Sequence, residues 1–253
     1  MTSALRIFSN PAVASAGVIV AAIALGLPAA AASTVSGSVE LMNSQDPLVR
    51  KHKDYSGVVV WLEPLNGSAQ RAASGEPRPA QMIQKNKRFT PHVLAIPVGT
   101  AVSFPNFDPI FHNAFSNFNG QIFDVGLYKP GSSRTVEFKR KGLVRVFCNI
   151  HPQMSAVIVV LKTPYFAVSD KAGTFRIQDV TAGQYELHVF HERATSETLR
   201  ALERKLTVEN AALEIPPVVL SESGYLQVEH KNKFGKDYPP VAEEQPVYTG
   251  VRK

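Results

Sequence analysis

Residues 144–154 of this sequence read VRVFCNIHPQM and join a β-strand to three potential metal ligands. The first four residues alternate in polarity, which predicts a half-buried strand. Cys148, the single cysteine of the chain, follows at once, with His151 at the third position after it and Met154 at the sixth. A thiolate, an imidazole and a thioether so close together indicate a site for a soft transition metal.

A further ligand has to come from another part of the sheet. His112 is the best candidate, because it follows a predicted strand at 101–104 into an apolar loop and is itself followed by Asn113. A thiolate, two imidazoles and a weak axial thioether are the set that copper uses for electron transfer. Zinc is the main competitor, but a methionine ligand argues against it. Cys148 taken alone would also fit an inert buried thiol.

Several phenylalanines lie near His112 in the sequence. They predict an apolar shell that limits access of solvent to the site. We interpret His92 as structural or on the surface, and the loop at Asp124 and Gly126 as a cover over the site. The phenylalanines are Phe104, Phe107, Phe111, Phe115 and Phe118.

The first 32 residues have the pattern of a secretion signal peptide. Arg6 precedes an uncharged apolar run at 16–27, and Ala30–Ala32 predicts cleavage after Ala32. The run has about 12 residues, whereas a membrane-spanning helix needs about 20. We therefore expect an exported, periplasmic protein with no membrane span after cleavage, and a retained N-terminal anchor is the alternative. A lone cysteine in such a compartment cannot form an internal disulfide, which favours a ligand role.

The charge of the chain is modest. It is +6 for the whole sequence and +5 once Arg6 is removed with the leader (6 − 1 = 5). The basic clusters at 85–88 and 139–141 lack the context of nucleic-acid modules, so we expect no nucleic acid as a partner. They fit either a solvated surface or docking to an acidic redox partner.

Short strands separated by Gly and Pro turns dominate residues 33–162 and predict an antiparallel all-β sandwich. Two of the strands, at 57–62 and 155–161, are continuously apolar and are expected to be buried. A loop rich in Gly, Ala, Ser, Pro and Arg is predicted at 66–79. The predicted strands are 34–41, 57–62, 89–96, 101–104, 134–138, 143–147 and 155–161.

A second, smaller unit is predicted at 163–222. It contains further strands and one helix at 195–204, with Thr195 or Ser196 as the N-cap. The sequence carries no nucleophile and base pair there, so a binding or spacing role is expected. Residues 223–253 are polar and charged and predict a disordered tail.

The ligand segments resemble the cupredoxins, the small blue-copper proteins. The C-x₂-H-x₂-M spacing is similar to the short ligand loop of amicyanin. The resemblance covers about residues 89–161. The residues that carry it are Val102, Phe104, Asn106, Asp108, His112, Asn113, Cys148, His151 and Met154.

This resemblance implies a Greek-key sandwich that binds one type 1 copper ion. His112 and Cys148 would be equatorial ligands, His151 a partly exposed equatorial ligand, and Met154 the axial ligand. Asn113 would tie the two ligand segments together through hydrogen bonds.

The second unit resembles the carboxypeptidase regulatory-like, or transthyretin-like, sandwich. The resemblance rests on the motif at 166–177 (FAVSDKAGTFRI) and on Gly183-x-Tyr185-x-Leu187. Together the two units are similar to the exported "methylamine utilisation protein" type of cupredoxin.

The function expected from these features is one-electron transfer without catalysis. The expected partner is a redox protein such as a c-type cytochrome or a dehydrogenase. Two alternatives remain open at this point. One is a periplasmic protein that binds or delivers copper, and the other is a cell-surface binding protein with structural copper.

Overall fold

The computed structural model describes residues 33–65, 77–117, 120–225 and 230–238. The predicted leader, most of the predicted loop at 66–79, Phe118 and the end of the predicted tail lie outside the described residues. Among the described residues, no helix is long and apolar enough to cross a bilayer.

The fold is nearly all β, as predicted from the sequence. The first elements in chain order are β1 (Ser33–Met42), α1 (Pro47–His52), β2 (Val59–Pro64), β3 (Ala80–Gln81), β4 (Ile83–Lys85), β5 (Arg88–Thr90), β6 (Val93–Pro97), β7 (Thr100–Pro105), β8 (Phe115–Ser116) and β9 (Phe123–Asp124). The later elements are β10 (Ser133–Phe138), β11 (Gly142–Phe147), β12 (Ser155–Leu161), β13 (Phe166–Val168), β14 (Thr174–Val180), β15 (Gly183–Phe190), α2 (Ser196–Ala201), β16 (Arg204–Val208), β17 (Leu213–Glu214) and β18 (Val218–Ser221).

The strands form two sandwiches, as the sequence predicted. We call them the terminal sandwich, built from β1, β2 and β13–β18, and the central sandwich, built from β3–β12. In the terminal sandwich, one sheet has the order β14-β1-β17 with β18 also paired to β1, and the other has the order β13-β2-β15-β16. Val35, Leu62 and Tyr185 lie in the core between them, each fully buried.

The predicted boundary between the two units, at residue 163, is wrong. β1 pairs with β14, where Val35 lies opposite Ile177, and β2 is the strand between β13 and β15. Residues 33–64 therefore belong to the terminal sandwich, and the central sandwich is inserted between β2 and β13. The alternating pattern of β1 shows that one side is buried, but the pattern does not reveal which distant strand pairs with it.

The central sandwich holds the predicted ligands. Its sheets have the orders β10-β7-β3 and β6-β12-β11-β8-β9, and β4 and β5 form a separate hairpin. The expectation of an antiparallel sandwich holds only in part, because β6 pairs in parallel with β12, and β3 in parallel with β7. The long connections that lead to these strands allow parallel pairing, whereas a tight hairpin would not.

The two sandwiches share a buried interface, which explains the two continuous apolar runs. Val59 of β2 and Phe190 of β15 pack with Val157 and Val159 of β12 in one cluster. The neighbouring residues of β2 and β12 face the cores of their own sandwiches. Both strands are thus buried, as predicted, and each is covered on two faces. Strands covered on both sides lose the alternation of polar residues.

Helices α1 and α2 begin at side-chain caps. The predicted helix at 195–204 is confirmed in a shorter form as α2, with the Thr195 side chain accepting a bond from Thr198 N at 3.2 Å. The other helix, α1, lies between the predicted strands 34–41 and 57–62, where no helix was predicted. Asp46 caps it by accepting from Leu48 N at 2.8 Å, and Pro47 occupies the first position. That Asp-Pro pair is a helix-start signal, because Asp is a favoured N-cap residue and Pro a favoured first helical residue.

The tail prediction needs a correction for residues 230–238. Although polar, they bond to the loop that carries the predicted ligands. Disorder was predicted from the low apolar content of the segment. These residues are instead held largely by hydrogen bonds to the ligand-bearing loop, which their own composition does not reveal.

Candidate metal centre

The residues from Cys148 to Met154 form a tight turn between β11 and β12, which we call the ligand loop. The Cys148 N–H donates to Met154 O at 3.1 Å, and the Met154 N–H donates to His151 O at 3.0 Å. These two bonds close the loop on itself. Cys148 and Met154 are both fully buried in the core of the central sandwich.

His112 comes from the connection between β7 and β8 and meets the ligand loop from another part of the sequence. Its backbone is fixed by two bonds with Tyr128, of 3.2 and 2.9 Å. Its Nδ1 lies 3.9 Å from Cys148 Sγ, and His151 Nδ1 lies 3.5 Å from the same sulfur. The three donor atoms all lie within 4.8 Å of one another.

These separations suit a shared metal ion. Metal bonds to nitrogen and sulfur are roughly 2.0–2.3 Å long, so two donors of one ion lie no more than about 4.4 Å apart. The two separations from Cys148 Sγ fall inside that limit. Within the described ranges, His112, Cys148 and His151 are the one group of three or more His, Cys, Asp or Glu side chains so arranged.

Asp108 orients the His112 ring. His112 Nε2 lies 2.7 Å from Asp108 Oδ2, so Nε2–H donates and Nδ1 keeps its lone pair toward Cys148. A carboxylate bonded to the outer nitrogen of a histidine ligand is a recurrent support of metal sites. In the sequence, Asp108 belongs to the motif around His112, but nothing there marks it as the support of the ring.

Asp108 is itself held by the β4–β5 turn. It accepts from Asn86 N at 2.6 Å and from Lys87 N at 2.8 Å. Both turn residues have positive φ, 56° and 53°, which is the geometry of a tight hairpin turn. Burial acts to raise the pKa of Asp108, but these N–H groups and His112 outweigh it and hold the pKa below its usual value.

Asn113 ties the two ligand segments together, as the resemblance implied. Its Oδ1 accepts from Asn149 N at 3.3 Å. Its Nδ2 donates to Asp124 Oδ1 at 2.7 Å and to Gly126 O at 3.0 Å. The loop at Asp124 and Gly126 is thus bonded to the site.

Burial prepares the donors for a metal. It lowers the pKa of His112, and, together with the charges of His112 and Lys87, it lowers the pKa of His151 to about 4. Both imidazoles are therefore neutral near pH 7, with lone pairs free to bind. Burial raises the pKa of the Cys148 thiol, so a metal ion has to displace its proton.

The predicted phenylalanine shell is only partly present. Phe104 and Phe115 are buried, but Phe107 is 61% and Phe111 is 47% exposed. The loop that carries Phe107 and Phe111 is directed toward solvent. Within it, Asn106 Nδ2 donates to Ile110 O at 2.8 Å. Tyr128, which no sequence pattern marks as part of the site, is buried instead and donates to Phe104 O at 2.8 Å.

The other histidines of β-strands and their ends have structural partners. His92 lies 2.8 Å from Glu192, in agreement with its structural interpretation. The ring of His188 stacks on Trp61 with centroids 5.1 Å apart. His191 Nε2 lies 2.8 Å from Glu222.

Solved structures similar to this chain are cupredoxins. A purple cupredoxin from Nitrosopumilus maritimus is 28% identical over 32% of this chain and 99% of that one, with a TM-score of 0.30. A reduced amicyanin mutant is 17% identical over 40% of this chain and 98% of its own, with a TM-score of 0.31.

A Cu-containing nitrite reductase from Thermus scotoductus SA-01 is 28% identical over 40% of this chain, with a TM-score of 0.33. The match spans only 26% of that enzyme's chain. A scan of family models and a search of curated proteins found no match.

Proposed function

We propose that this protein binds one copper ion through His112, Cys148, His151 and Met154 and acts as a one-electron carrier. The observation that carries the proposal is the convergence of two imidazole nitrogens on the single thiol, at 3.9 and 3.5 Å, from segments far apart in sequence.

The chemistry of the donors favours copper over zinc. A thiolate with two imidazoles and a weak thioether is the electron-transfer set of copper, whereas zinc sites take Cys, His and carboxylate ligands. Met154 is fully buried at the end of the ligand loop, in the same core as Cys148.

The surroundings of the donors favour electron transfer over catalysis. Four protein donors leave no open position for a substrate, which a catalytic metal site would keep. Copper supplies exchange of a single electron between Cu(I) and Cu(II). Asp108 holds the ring of His112, and Asn113 holds the ligand loop, so both segments keep one arrangement.

His151 is the donor nearest to solvent, since His112, Cys148 and Met154 are fully buried while His151 is half-buried. We assign the exchange of electrons with a partner to this edge. The partner would be another exported redox protein, such as a c-type cytochrome or a dehydrogenase. The terminal sandwich would be a transthyretin-like binding or spacing module, and the leader at 1–32 would direct the chain to the periplasm.

Voltammetry of the copper-loaded mature protein tests the proposed role. A reversible one-electron wave, with the ion retained over repeated cycles, is the expected result. Loss of the ion to a copper acceptor on each reduction would contradict the carrier role and favour copper delivery. The Cys148→Ser variant is the control and should give no such wave.

A further inference from the structure

Residues 230–238, which we call the C-terminal strap, lie across the ligand loop. The chain reaches them from the terminal sandwich, after Glu222. The ring of His230 stacks on Phe147, with centroids 4.0 Å apart and planes 28° apart. His230 Nε2 also lies 2.6 Å from Pro152 O. The strap thus contacts the residue before Cys148 and the residue after His151.

Lys233 connects the strap to both halves of the site. Its N–H donates to Asn149 Oδ1 at 3.0 Å, and its Nζ lies 2.8 Å from Asp124 Oδ2. Asn149 and Asp124 are also the residues that Asn113 bonds. Lys233 and Asn113 therefore both link Asn149 to Asp124, Lys233 from the strap and Asn113 from the segment that carries His112.

Tyr238 contacts the predicted thiolate ligand directly through the backbone. Its hydroxyl donates to Cys148 O at 2.8 Å, and its ring meets the edge of the His230 ring at 5.2 Å.

The strap also has a structure of its own. Asn232 Oδ1 accepts from Phe234 N at 2.9 Å and from Lys236 N at 3.1 Å. The Asn232 N–H donates to Lys236 O at 2.9 Å. This turn fixes the spacing between His230 and Tyr238, so the two can bind the loop together.

We propose that the C-terminal strap is a working part of the metal centre, which positions the ligand loop and slows release of the bound ion. The inference rests on the proposed copper site and extends it. His230, Lys233 and Tyr238 are positioning residues, because each acts on the backbone or side chain of the loop and none supplies a metal donor. A segment that slows ion release suits a carrier that keeps its ion.

Hydrogen exchange of the metal-free mature protein tests the positioning role without copper. Removing residues 230–253, or introducing Tyr238→Phe, should speed exchange in the peptide 147–154. The expected change for Tyr238→Phe is about 2- to 10-fold, the effect of one hydrogen bond of ordinary strength. Peptides of β14, on the far sheet of the terminal sandwich, should not change.

Matched controls are available in the same part of the chain. Among the described residues, the hydroxyl of Tyr225 has no partner, so Tyr225→Phe should leave exchange in the ligand loop unchanged. Lys233→Met should speed that exchange, whereas Lys236→Met should not, because Lys236 makes no ion pair within the described ranges. Unchanged exchange in both Tyr238→Phe and the shortened protein would overturn the proposal.

Transfer of Cu(I) to a chelator supplies the second readout. The shortened protein and Tyr238→Phe should lose the ion faster than the wild type and faster than Tyr225→Phe. Equal release rates would contradict the strap's role in retention. If the wild-type protein bound no copper, the proposed function would fail, whereas the exchange experiment would still decide the positioning role.

Discussion

At the scale of single residues, the orientation of His112 depends on Asp108, four positions earlier in the chain. Asp108 accepts from the imidazole and from two backbone N–H groups, so its two oxygens serve three donors. Replacing Asp108 with asparagine keeps the shape of the side chain but changes one accepting oxygen into a donating NH₂ group. The ring of His112 then loses its fixed direction or the β4–β5 turn loses a bond.

Asp108→Asn should weaken copper affinity about 10- to 100-fold, the usual cost of losing such a support. Competition titration with a copper chelator measures it. Asp179→Asn is the control, because Asp179 is exposed, has positive φ of 57° and makes no ion pair among the described residues. Equal affinities of Asp108→Asn and wild type would show that the carboxylate does not support the metal ligand.

Met154 and Met82 form a matched pair, since both are fully buried in the core of the central sandwich and only Met154 belongs to the ligand loop. Met154→Leu should raise the reduction potential, because a thioether donates electron density that stabilises Cu(II) more than Cu(I). Met82→Leu should leave the potential unchanged.

Each methionine replacement conserves volume and should cost less than about 1.5 kcal/mol of unfolding free energy. Voltammetry and denaturation of the two variants separate the effect on the metal from the effect on packing. The same potential for Met154→Leu and wild type would exclude the thioether as a ligand.

The approach of Cys148 and His151 was predictable because their spacing within one turn is visible in the sequence. The role of Met154 as a ligand stays a prediction. His112 was found because it follows a strand and precedes Asn113. The role of Asp108 was not predictable, since it depends on a hairpin turn more than 20 positions earlier. The contacts of Tyr238 were hidden for the same reason, because nothing in a polar segment indicates which distant carbonyl it will reach.

At the scale of elements, one buried carboxylate joins the ends of three strands of the terminal sandwich. Glu222 follows β18 and accepts from Ser44 Oγ, after β1, at 2.7 Å. It lies 2.8 Å from His191 Nε2, after β15, and 3.0 Å from Arg193 Nε. Burial acts to raise the pKa of Glu222, but Arg193, Ser44 and His191 outweigh it and hold the pKa below 4.5.

Glu222→Gln should lower the unfolding free energy of the metal-free protein by about 1–3 kcal/mol near pH 7, the value of hydrogen bonds to a charged group. Because the folded pKa lies below the unfolded value, this contribution is complete above about pH 4.5. It is lost as the pH falls through the folded pKa, so the difference between wild type and variant should shrink there.

Chemical denaturation from pH 7 to pH 3 measures this difference. Burial also holds the pKa of His191 below 6.5, so the unfolding free energy of both proteins should begin to fall below about that pH. Glu40→Gln, at an exposed position of β1, is the control and should match the wild type at every pH. A difference for Glu222→Gln that persists unchanged to pH 3 would contradict the assignment.

Where the pattern of apolar residues was strong, both the position and the burial of a strand were predictable. The continuous runs in β2 and β12 indicated burial, and the interface between the sandwiches supplies the second covered face of each strand. The pattern did not show that the predicted strand at 89–96 divides into β5 and β6 around Pro91 and His92.

At the scale of the whole molecule, the central sandwich interrupts the terminal one. β1 and β2 are interior strands of the two terminal sheets, and they precede the central sandwich in the chain. Strand pairing over such a distance is set by three-dimensional packing, which a pattern of apolar residues does not encode. The boundary at 163 was drawn from chain order alone and therefore divided one sandwich.

This arrangement predicts that residues 163–222 cannot fold by themselves. The fragment lacks β1 and β2 and with them fully buried side chains such as Val35, Val60 and Leu62. Circular dichroism of the fragment should show no cooperative thermal transition, whereas residues 33–253 should show one. A cooperative transition of the fragment would contradict the described pairing of β1 with β14 and of β2 with β15.

The central claim is that Cys148, His112, His151 and Met154 together bind one copper ion, and the visible absorption spectrum of the Cu(II)-loaded mature protein tests it most directly. An intense thiolate-to-copper band, at one ion per chain and abolished by Cys148→Ser, is the predicted result. A Cu(II) protein without that band, or one whose spectrum Cys148→Ser leaves unchanged, would contradict the account.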